Sequence, residues 1–168
     1  MDKFTVTHEL PVSSETFWKL TFDQELNQQM FEKELGFEEY RLLEQKETDG
    51  EIVRRVSAIP KLPLPDAVVE VIGKAFGYVE ESRFDKKEKV LRYHGTPNTL
   101  PEQLKNGGEI RCVDLEGGRC RRVVDVYLEA DIPLVGELIE RTAEKNMRDA
   151  YERSATFMTD WAQARGLK

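Results

Sequence analysis

The sequence predicts an α+β protein in which an antiparallel sheet curls around one long C-terminal helix. Between residues 38 and 130, stretches of alternating polar and apolar residues recur in pairs separated by turn signals, as in consecutive hairpins. After residue 133, one helical pattern continues for about 30 residues and carries a single apolar stripe. A helix of that length must bury its stripe against something large, and the sheet is the partner on offer. We therefore expect a single domain over residues 1–168.

The N-terminal part of the chain predicts one strand followed by two short helices. Residues 3–10 alternate as a strand that carries Phe4, Val6, His8 and Leu10 on one face. Ser13 or Ser14 can cap the first helix, which begins with the sequence ETFWKL. The second helix is expected over residues 24–35 and ends at Gly36.

Six further strands are expected in three hairpins. They span about residues 38–48, 51–59, 78–85, 89–96, 108–116 and 119–130. Asp49-Gly50 is a strong two-residue hairpin signal, the sequence DKKEK turns the second hairpin, and Gly117-Gly118 turns the third. The polar stretch TPNTLPEQLKNGG, which contains Gly107-Gly108, predicts a loop before the third hairpin.

The final helix, from near Pro133 to Arg165, has a well-defined apolar stripe. The stripe consists of Ile139, Ala143, Met147, Ala150, Tyr151, Ser154, Phe157, Met158 and Trp161. Charged residues such as Arg141, Lys145 and Arg148 occupy the opposite side. The stripe predicts that the helix lies along the sheet over most of its length.

The composition excludes several classes of function. The net charge of −7 leaves no basic excess to neutralise phosphates, so no nucleic-acid partner is expected. No apolar run approaches the roughly 20 residues needed to cross a bilayer, and the first residues do not resemble a signal peptide. With only two cysteines, the simplest interpretation is a cytoplasmic protein with reduced thiols.

The Gly117-Gly118 turn predicts which side chains of the last two strands face the helix. If the loop has two residues, Leu115 lies opposite Cys120 and Val113 lies opposite Arg122. The more apolar face then holds Arg111, Val113, Leu115, Cys120, Arg122, Val124, Val126 and Leu128, and we assign it to the helix side. Cys112 falls on the other face from Cys120, so no disulfide is expected between them.

Three polar side chains on these predicted inner faces need an explanation. Arg111 and Arg122 interrupt an apolar face, and His8 lies in register with Phe4 and Val6. Because burial of an unpaired charge is costly, these side chains could anchor the polar head of an amphipathic ligand. Alternatively, the arginines lie near strand ends, reach water or pair with glutamates, and His8 is a satisfied core or edge residue.

Residues 59–77, with the sequence IPKLPLPDAVVEVIGKAFG, interrupt the series of strands. Three prolines precede a short apolar helix, and the apolar side chains of the segment are Leu62, Leu64, Val68, Ile72 and Phe76. One hypothesis is a mobile lid or rim that covers a cavity and touches a membrane briefly when it opens. The other is a helix that plugs one end of the sheet.

Three stretches of the sequence carry a family resemblance that covers the whole chain. They are PVSSETFWKLTFD, the segment of residues 59–77, and ADIPLVGELIERTAEKNM. Together they resemble the helix-grip fold of the START-like (SRPBCC) superfamily, which includes birch-pollen-allergen-like proteins and polyketide cyclases. The chain is most similar to an uncharacterised bacterial START-like family in which a P-L-V-G-x-x-x-E run joins the last strand to the helix. Here that run is Pro133, Leu134, Val135, Gly136 and Glu140.

The resemblance implies a hydrophobic cavity between sheet and helix, and a looser similarity to VASt and PRELI lipid-transfer domains suggests lipids. We therefore expect a protein that binds, and could transport, a lipid-like molecule. The expected cavity residues are Val113, Leu115, Arg122, Val124, Val126, Leu128, Ile139, Met147, Tyr151 and Met158. The oligomeric state is left open by the sequence.

Two other classes of function stay open. The chain has no nucleophile elbow, no metal-ligand spacing and no phosphate-binding glycine motif, so no catalytic residue, metal or cofactor is expected. A cyclase-like enzyme could still use Arg92, Tyr93, His94 and Arg122 to move protons. A protein-interaction module is the remaining alternative, in which bulky side chains fill the cavity and no small ligand binds.

Overall fold

The computed structural model describes residues 1–168 and confirms the α+β architecture. The strands are β1 (Asp2–Leu10), β2 (Glu39–Glu47), β3 (Glu51–Ile59), β4 (Tyr78–Asp85), β5 (Val90–Pro97), β6 (Leu104–Asp114) and β7 (Cys120–Ala130). The helices are α1 (Ser14–Thr21), α2 (Gln24–Gln29), α3 (Asp66–Ile72) and α4 (Gly136–Ala164). All seven strands form one antiparallel sheet in the order β1-β7-β6-β5-β4-β3-β2. The sheet wraps around α4, as expected from the sequence. No helix combines the length and the hydrophobicity that crossing a bilayer requires.

The two N-terminal helices begin at capping side chains. The Ser13 hydroxyl accepts a hydrogen bond from the Thr16 amide, and the Asp23 carboxylate accepts one from the Leu26 amide. The helix predicted over residues 24–35 is divided, because α2 continues into a π-helical segment, Met30–Glu34. Gly36 then adopts a left-handed φ of 72° and turns the chain towards β2.

The β2–β3 hairpin turns at Asp49-Gly50, as predicted. The Thr48 amide donates to the Glu51 carbonyl at 2.9 Å on either side of this two-residue loop. A bulge between Leu42 and Glu44 shifts the register further along the pair.

The register predicted for β6 and β7 is wrong by one residue. The Leu115 amide donates to the Arg119 carbonyl, so the loop has three residues, Glu116–Gly118, instead of two. Gly117 and Gly118 both adopt positive φ, which suits this longer turn. Because side chains alternate along a strand, one residue of slip exchanges the faces of β6.

The corrected register moves two expected cavity residues, Val113 and Leu115, and one expected polar anchor, Arg111, away from the helix. Arg111 and Val113 point outwards, where Val113 is 54% exposed, and Leu115 belongs to the turn. Cys112 faces the helix side instead, so it shares a face with Cys120. Both thiols are free, although the two cysteines lie on the same face of the sheet and not on opposite faces as predicted. On β7 the predicted inward set is correct, and Cys120, Arg122, Val124, Val126 and Leu128 are all buried.

The loop predicted to extend to Gly108 is shorter than expected, since β6 already begins at Leu104. Gly107 and Gly108 therefore lie inside a strand. A Cβ added at Gly108 would lie 2.1 Å from the Asp125 carbonyl oxygen and 3.1 Å from the Tyr93 hydroxyl. Glycine is needed here because neighbouring groups approach the backbone closely, a use of glycine that a turn pattern does not reveal.

The connection from β7 to α4 explains the P-L-V-G-x-x-x-E run. A Cβ at Gly136 would lie 2.3 Å from the Ala130 carbonyl oxygen, so the helix can begin this close to the strand only with glycine. Glu140, one turn later, accepts a hydrogen bond from the Ala130 amide at 3.2 Å. The run thus fixes the first turn of α4 against the end of β7.

The core is packed most densely at one end of the grip. A cluster of 14 buried residues joins α1, α2 and the C-terminal half of α4 to the adjoining strand ends. At the opposite end, α3 buries Val68 and Ile72 against Leu104 and Ala130. The middle of the sheet lies between these two clusters, and the candidate site is found there.

Candidate functional site

The two halves of α4 differ in how completely they are buried. In the C-terminal half, Ser154, Ala155, Met158, Trp161 and Ala162 are buried. In the N-terminal half, the inward residues Ile139, Ala143, Met147 and Tyr151 keep part of their accessible surface. On the sheet, the inward residues Tyr78, Glu80, Asn106 and Ile110 also stay half-buried. Ile110, Ala143, Met147 and Tyr151 pack against a cluster of six buried residues of β1, β5 and β7. We call the region between the half-buried residues of the helix and those of the sheet the inner chamber.

The width of the inner chamber is shown by a pair of tyrosines. Tyr93 projects from β5 and Tyr151 from α4, and their hydroxyl oxygens meet at 3.2 Å. Two long side chains placed end to end are needed to join the sheet to the helix at this point. The backbone of α4 approaches the sheet closely only at β1 and β7. The inner faces of β4 and β5 therefore meet the helix through long side chains and not through close backbone contact.

Glu80 is the most unusual residue of the inner chamber. It lies on β4, opposite Val56 on β3 and Gly95 on β5, and its carboxyl group forms no hydrogen bond or salt bridge with the protein. Burial raises the pKa of Glu80 above its ordinary value, while Arg54 and His94 lower it by a smaller amount. Glu80 is thus a half-buried acid on the inner face of the sheet whose carboxyl has no partner in the protein.

Four of the five tyrosines lie in the electrostatic field of Glu80. They are Tyr40, Tyr78, Tyr93 and Tyr151. Burial is the largest cause that raises the pKa of each phenol, and the Glu80 carboxylate raises it further. The pKa reaches about 12 for Tyr40 and for Tyr151. All four phenols are therefore protonated at neutral pH and can both donate and accept hydrogen bonds.

Arg54 is a buried cation beside this group. Its Nη1 donates to the Thr21 carbonyl at the C-terminus of α1 at 2.9 Å, and its guanidinium lies 5.2 Å from the centre of the Phe22 ring. No carboxylate forms a salt bridge with it, and its Nε has no hydrogen-bond partner. The helix C-terminus, with its partial negative charge, takes the place of an acidic side chain.

Arg122 joins the sheet to α4. Its Nη1 donates to the Ser154 hydroxyl at 3.0 Å, and its Nη2 donates to the Tyr151 carbonyl at 2.7 Å. Arg122 is 4% exposed and has no acidic partner, so it neither reaches water nor pairs with a glutamate. Burial lowers its pKa. Since protein atoms occupy both terminal nitrogens, its geometry is that of a clamp between strand and helix.

His8 lies directly opposite Arg122 in the register of β1 and β7. The Arg122 Nη2 lies 3.2 Å from His8 Nδ1, and a guanidinium can only donate, so Nδ1 accepts and the imidazole is neutral. Burial, followed by the charge of Arg122, lowers the pKa of His8 below its ordinary value of 6.5, and Glu152 opposes this shift. His8 is thus part of the same clamp.

Several residues proposed from the sequence lie outside the inner chamber. Arg111 is on the outer face, where it forms salt bridges with Glu109 and Asp125. Arg92 and His94 also point outwards, so of the residues considered for a cyclase-like enzyme only Tyr93 and Arg122 face inwards.

The segment of residues 59–77 closes one end of the inner chamber. Val68 and Ile72 are buried, whereas Leu62, Leu64 and Phe76 are half-buried. Val68 and Ile72 form an apolar cluster with Leu104 and Ala130, and Leu138 and Ile139 at the start of α4 pack against it. The Asn98 side chain fixes the end of the segment, since it accepts from the Gly77 amide at 3.1 Å and donates to the Ala75 carbonyl at 2.9 Å.

The outer face of the sheet carries an open depression of about 890 Å³. Its lining is mostly polar or charged, and its charged side chains pair with one another, for example Arg92 with Glu109 at 3.0 Å. An exposed surface of paired charges offers little to a hydrophobic ligand. The inner chamber, which has apolar side chains on both of its walls, is the better candidate site. No group of three or more histidine, cysteine or acidic side chains is placed to hold a metal ion.

Sequence reasoning missed Glu80, Arg54 and Asn106. The signal was present in β4, where Glu80, Ser82 and Phe84 alternate with the charged residues Glu81, Arg83 and Asp85. A strand that buries Phe84 must send Glu80 inwards as well. Attention to acidic residues on apolar faces, in addition to basic ones, would have identified it.

A seven-stranded antiparallel sheet wrapped around a long C-terminal helix is the helix-grip fold. The chain belongs to the family described as protein of unknown function DUF2505, whose model matches residues 5–162. No curated protein matches the sequence.

Solved structures with the same fold cover nearly the whole chain. The protein TTHA0849 from Thermus thermophilus is 17% identical with a TM-score of 0.70, and the alignment covers 98% of this chain and 99% of that one. The Zhui aromatase/cyclase from Streptomyces sp. R1128 is 16% identical with a TM-score of 0.67 and 99% coverage of both chains. A START superfamily protein from Mycobacterium smegmatis is 14% identical with a TM-score of 0.60, with coverage of 96% and 97%. At these identities the likeness concerns the fold.

Proposed function

We propose that the chain acts as one domain that binds a small hydrophobic or amphipathic molecule, such as a lipid, in the inner chamber. The observation that carries this proposal is the contrast along α4, whose stripe is buried in the C-terminal half and accessible in the N-terminal half. Burial of the ligand's chain or ring would drive binding, at about 25 cal/mol per Å² of apolar surface removed from water. Val124, Val126, Ile139 and Met147 would supply apolar contacts.

Access to the inner chamber would require movement of α3. The segment around it is flanked by prolines and closes the chamber at the end where α4 begins. We propose that it serves as a mobile rim, which exposes Leu62, Leu64 and Phe76 when it opens. A brief contact of these side chains with a membrane would allow a lipid to enter or leave.

Native mass spectrometry of freshly purified protein, followed by solvent extraction, tests the proposal. A discrete additional mass that extracts as an organic molecule is the expected result. A bare chain that takes up neither lipids nor aromatic probes would contradict binding and support the interaction module with a filled interior.

A cyclase-like enzyme is the second candidate function. The observation in its favour is the group of protonated phenols around the unpaired Glu80 carboxyl, which could position a reactive molecule and move protons. The similar fold of the Zhui aromatase/cyclase is consistent with such a use. Conversion of a linear polyketide into a ring, abolished by Tyr93→Phe, would establish it, whereas release of an unchanged ligand would favour binding alone.

A further inference from the structure

We propose that Glu80 is a specificity-determining residue that selects ligands carrying a neutral hydrogen-bonding group, a hydroxyl or a carbonyl, at the end inserted into the inner chamber. This inference rests on the proposed binding function and adds the chemical class of the ligand.

The position of Glu80 leaves its carboxyl available to a ligand. It lies near the middle of the sheet, with one strand partner, Gly95, that has no side chain. Beyond Gly95 lies Asn106, whose amide oxygen is 2.9 Å from the point where a Gly95 Cβ would stand. The Asn106 amide also makes no hydrogen bond with the protein and is half-buried. Two unpaired polar groups thus flank a glycine on the inner wall.

The groups that face Glu80 come from every element around it. Arg54 lies on β3, Tyr40 on β2, Tyr78 on β4, Tyr93 on β5 and Tyr151 on α4. His94 acts on it from the outer face of β5. Arg54 is the one inward cation that acts on Glu80; its Nη1 donates to the Thr21 carbonyl and its guanidinium packs on Phe22, while its Nε has no partner.

These charges disfavour an ionic ligand group. Burial penalises any charge that the ligand brings. A ligand carboxylate would lie beside the Glu80 carboxyl, and a ligand ammonium would lie in the field of the Arg54 guanidinium, so neither sign of charge is favoured. A hydroxyl or carbonyl meets none of these penalties, because the phenols and the Asn106 amide can donate and accept hydrogen bonds and the Glu80 carboxyl can accept them.

Three probes with the same chain length separate these possibilities: 1-decanol, decylamine and decanoic acid. Their dissociation constants are measured by isothermal titration calorimetry at pH 7 on the full chain. The unmodified protein is expected to bind 1-decanol about tenfold more tightly than either charged probe. Glu80→Gln, which keeps a neutral donor and acceptor, should stay within about threefold, whereas Glu80→Leu should weaken 1-decanol binding about tenfold.

Glu81→Gln is the matched control, because Glu81 is adjacent in sequence and points to the outer face. It should leave all three dissociation constants unchanged, and thermal melts verify that each variant is folded. If no probe binds, the proposed binding function fails together with this inference. If 1-decanol binds equally to the unmodified protein and Glu80→Leu, binding stands and the role of Glu80 is rejected. Preference for decylamine or decanoic acid in the unmodified protein would overturn it without any variant.

Discussion

At the scale of single residues, the two buried arginines show how this fold tolerates charge without acidic partners. Arg54 and Arg122 both donate to main-chain carbonyls of helices, and neither forms a salt bridge. Burial of a charge that lacks a counter-charge is costly, and hydrogen bonds offset only part of that cost. The fold therefore holds two positive charges on its inner face through hydrogen bonds to helix carbonyls instead of salt bridges.

Two replacements of Arg122 distinguish what its side-chain volume contributes to stability from what its charge contributes. Arg122→Ala should destabilise the protein by about 2–4 kcal/mol, because it leaves a cavity and removes the clamp to Ser154 and Tyr151. Arg122→Met keeps most of the side-chain volume and removes the buried charge. Its loss in free energy of unfolding should therefore be smaller than that of Arg122→Ala and near zero. Urea unfolding at pH 7 measures both.

Arg121→Ala is the control for this pair, since Arg121 lies next in sequence, faces outwards and contributes only an exposed salt bridge with Glu9. Its effect should stay within about 1 kcal/mol. Equal losses for the methionine and alanine variants of Arg122 would show that its hydrogen bonds matter more than the space it fills.

At the scale of secondary-structure elements, the sequence predicted which strands and helices exist, and in what order, better than it predicted the register in which the strands pair. Alternation and turn residues identified all seven strands, and the Asp49-Gly50 hairpin was placed correctly. The β6–β7 loop was misjudged because Gly117-Gly118 fits a two-residue turn as well as a three-residue one, and no local pattern distinguishes them. For the same reason Arg111, Val113 and Leu115 were assigned to a cavity that they do not reach.

The misassigned glycines have a physical reason that lies outside their own strand. Gly107 and Gly108 look like a turn in sequence, yet the need for glycine comes from Asp125 on β7 and Tyr93 on β5. Such constraints depend on residues that are distant in the chain, so periodicity cannot reveal them.

Gly108→Ala tests this close approach. The new Cβ would collide with the Asp125 carbonyl oxygen at 2.1 Å, which forces the backbone of β6 and β7 apart, so a loss of at least about 2 kcal/mol is expected. Gly50→Ala, where an added Cβ has no neighbour within 4 Å, should change stability by about 0.5 kcal/mol or less. Urea unfolding of the two variants provides the comparison, and equal effects would refute the steric explanation.

The mobility of α3 decides between a rim that opens and a fixed plug. α3 has seven residues, follows Pro65 and has no side-chain cap, whereas α1 has eight residues and is capped by Ser13. Short helices depend on such contacts, so we expect the amides of α3 to exchange with deuterium at least about tenfold faster than those of α1. Hydrogen exchange followed by mass spectrometry measures both helices in one sample. Equal protection of the two helices would favour the plug.

At the scale of the whole molecule, the pH dependence of stability combines groups that act in opposite directions. Hydrogen bonds to Asp85 and Asp114 lower the pKa of these exposed carboxyls, so their contribution is lost as acid protonates them. Burial lowers the pKa of His8, so its contribution is complete above 6.5 and is lost as the pH falls through its folded pKa. Glu80 acts oppositely, because burial raises its pKa.

The sign for Glu80 follows from proton counting. Above its ordinary pKa of 4.5 the unfolded chain releases the proton that the folded protein still holds. Its contribution is therefore complete below pH 4.5 and is lost as the pH rises through its folded pKa. Glu80→Gln, which cannot ionise, should gain stability relative to the unmodified protein as the pH rises above 4.5. Glu81→Gln, which removes an outward-pointing carboxyl from the same strand, is measured beside it as the reference variant.

Urea unfolding of the three proteins at half-unit pH intervals tests this expectation. The comparison of variants is essential, since the profile of the unmodified protein alone is a sum in which His8 and the surface carboxyls obscure Glu80. A difference between Glu80→Gln and the unmodified protein that does not change with pH would show that Glu80 titrates normally in the folded state. In that case its carboxyl would be solvated and ionised at neutral pH, and the inner chamber would offer a ligand a negative charge instead of a neutral hydrogen-bonding group.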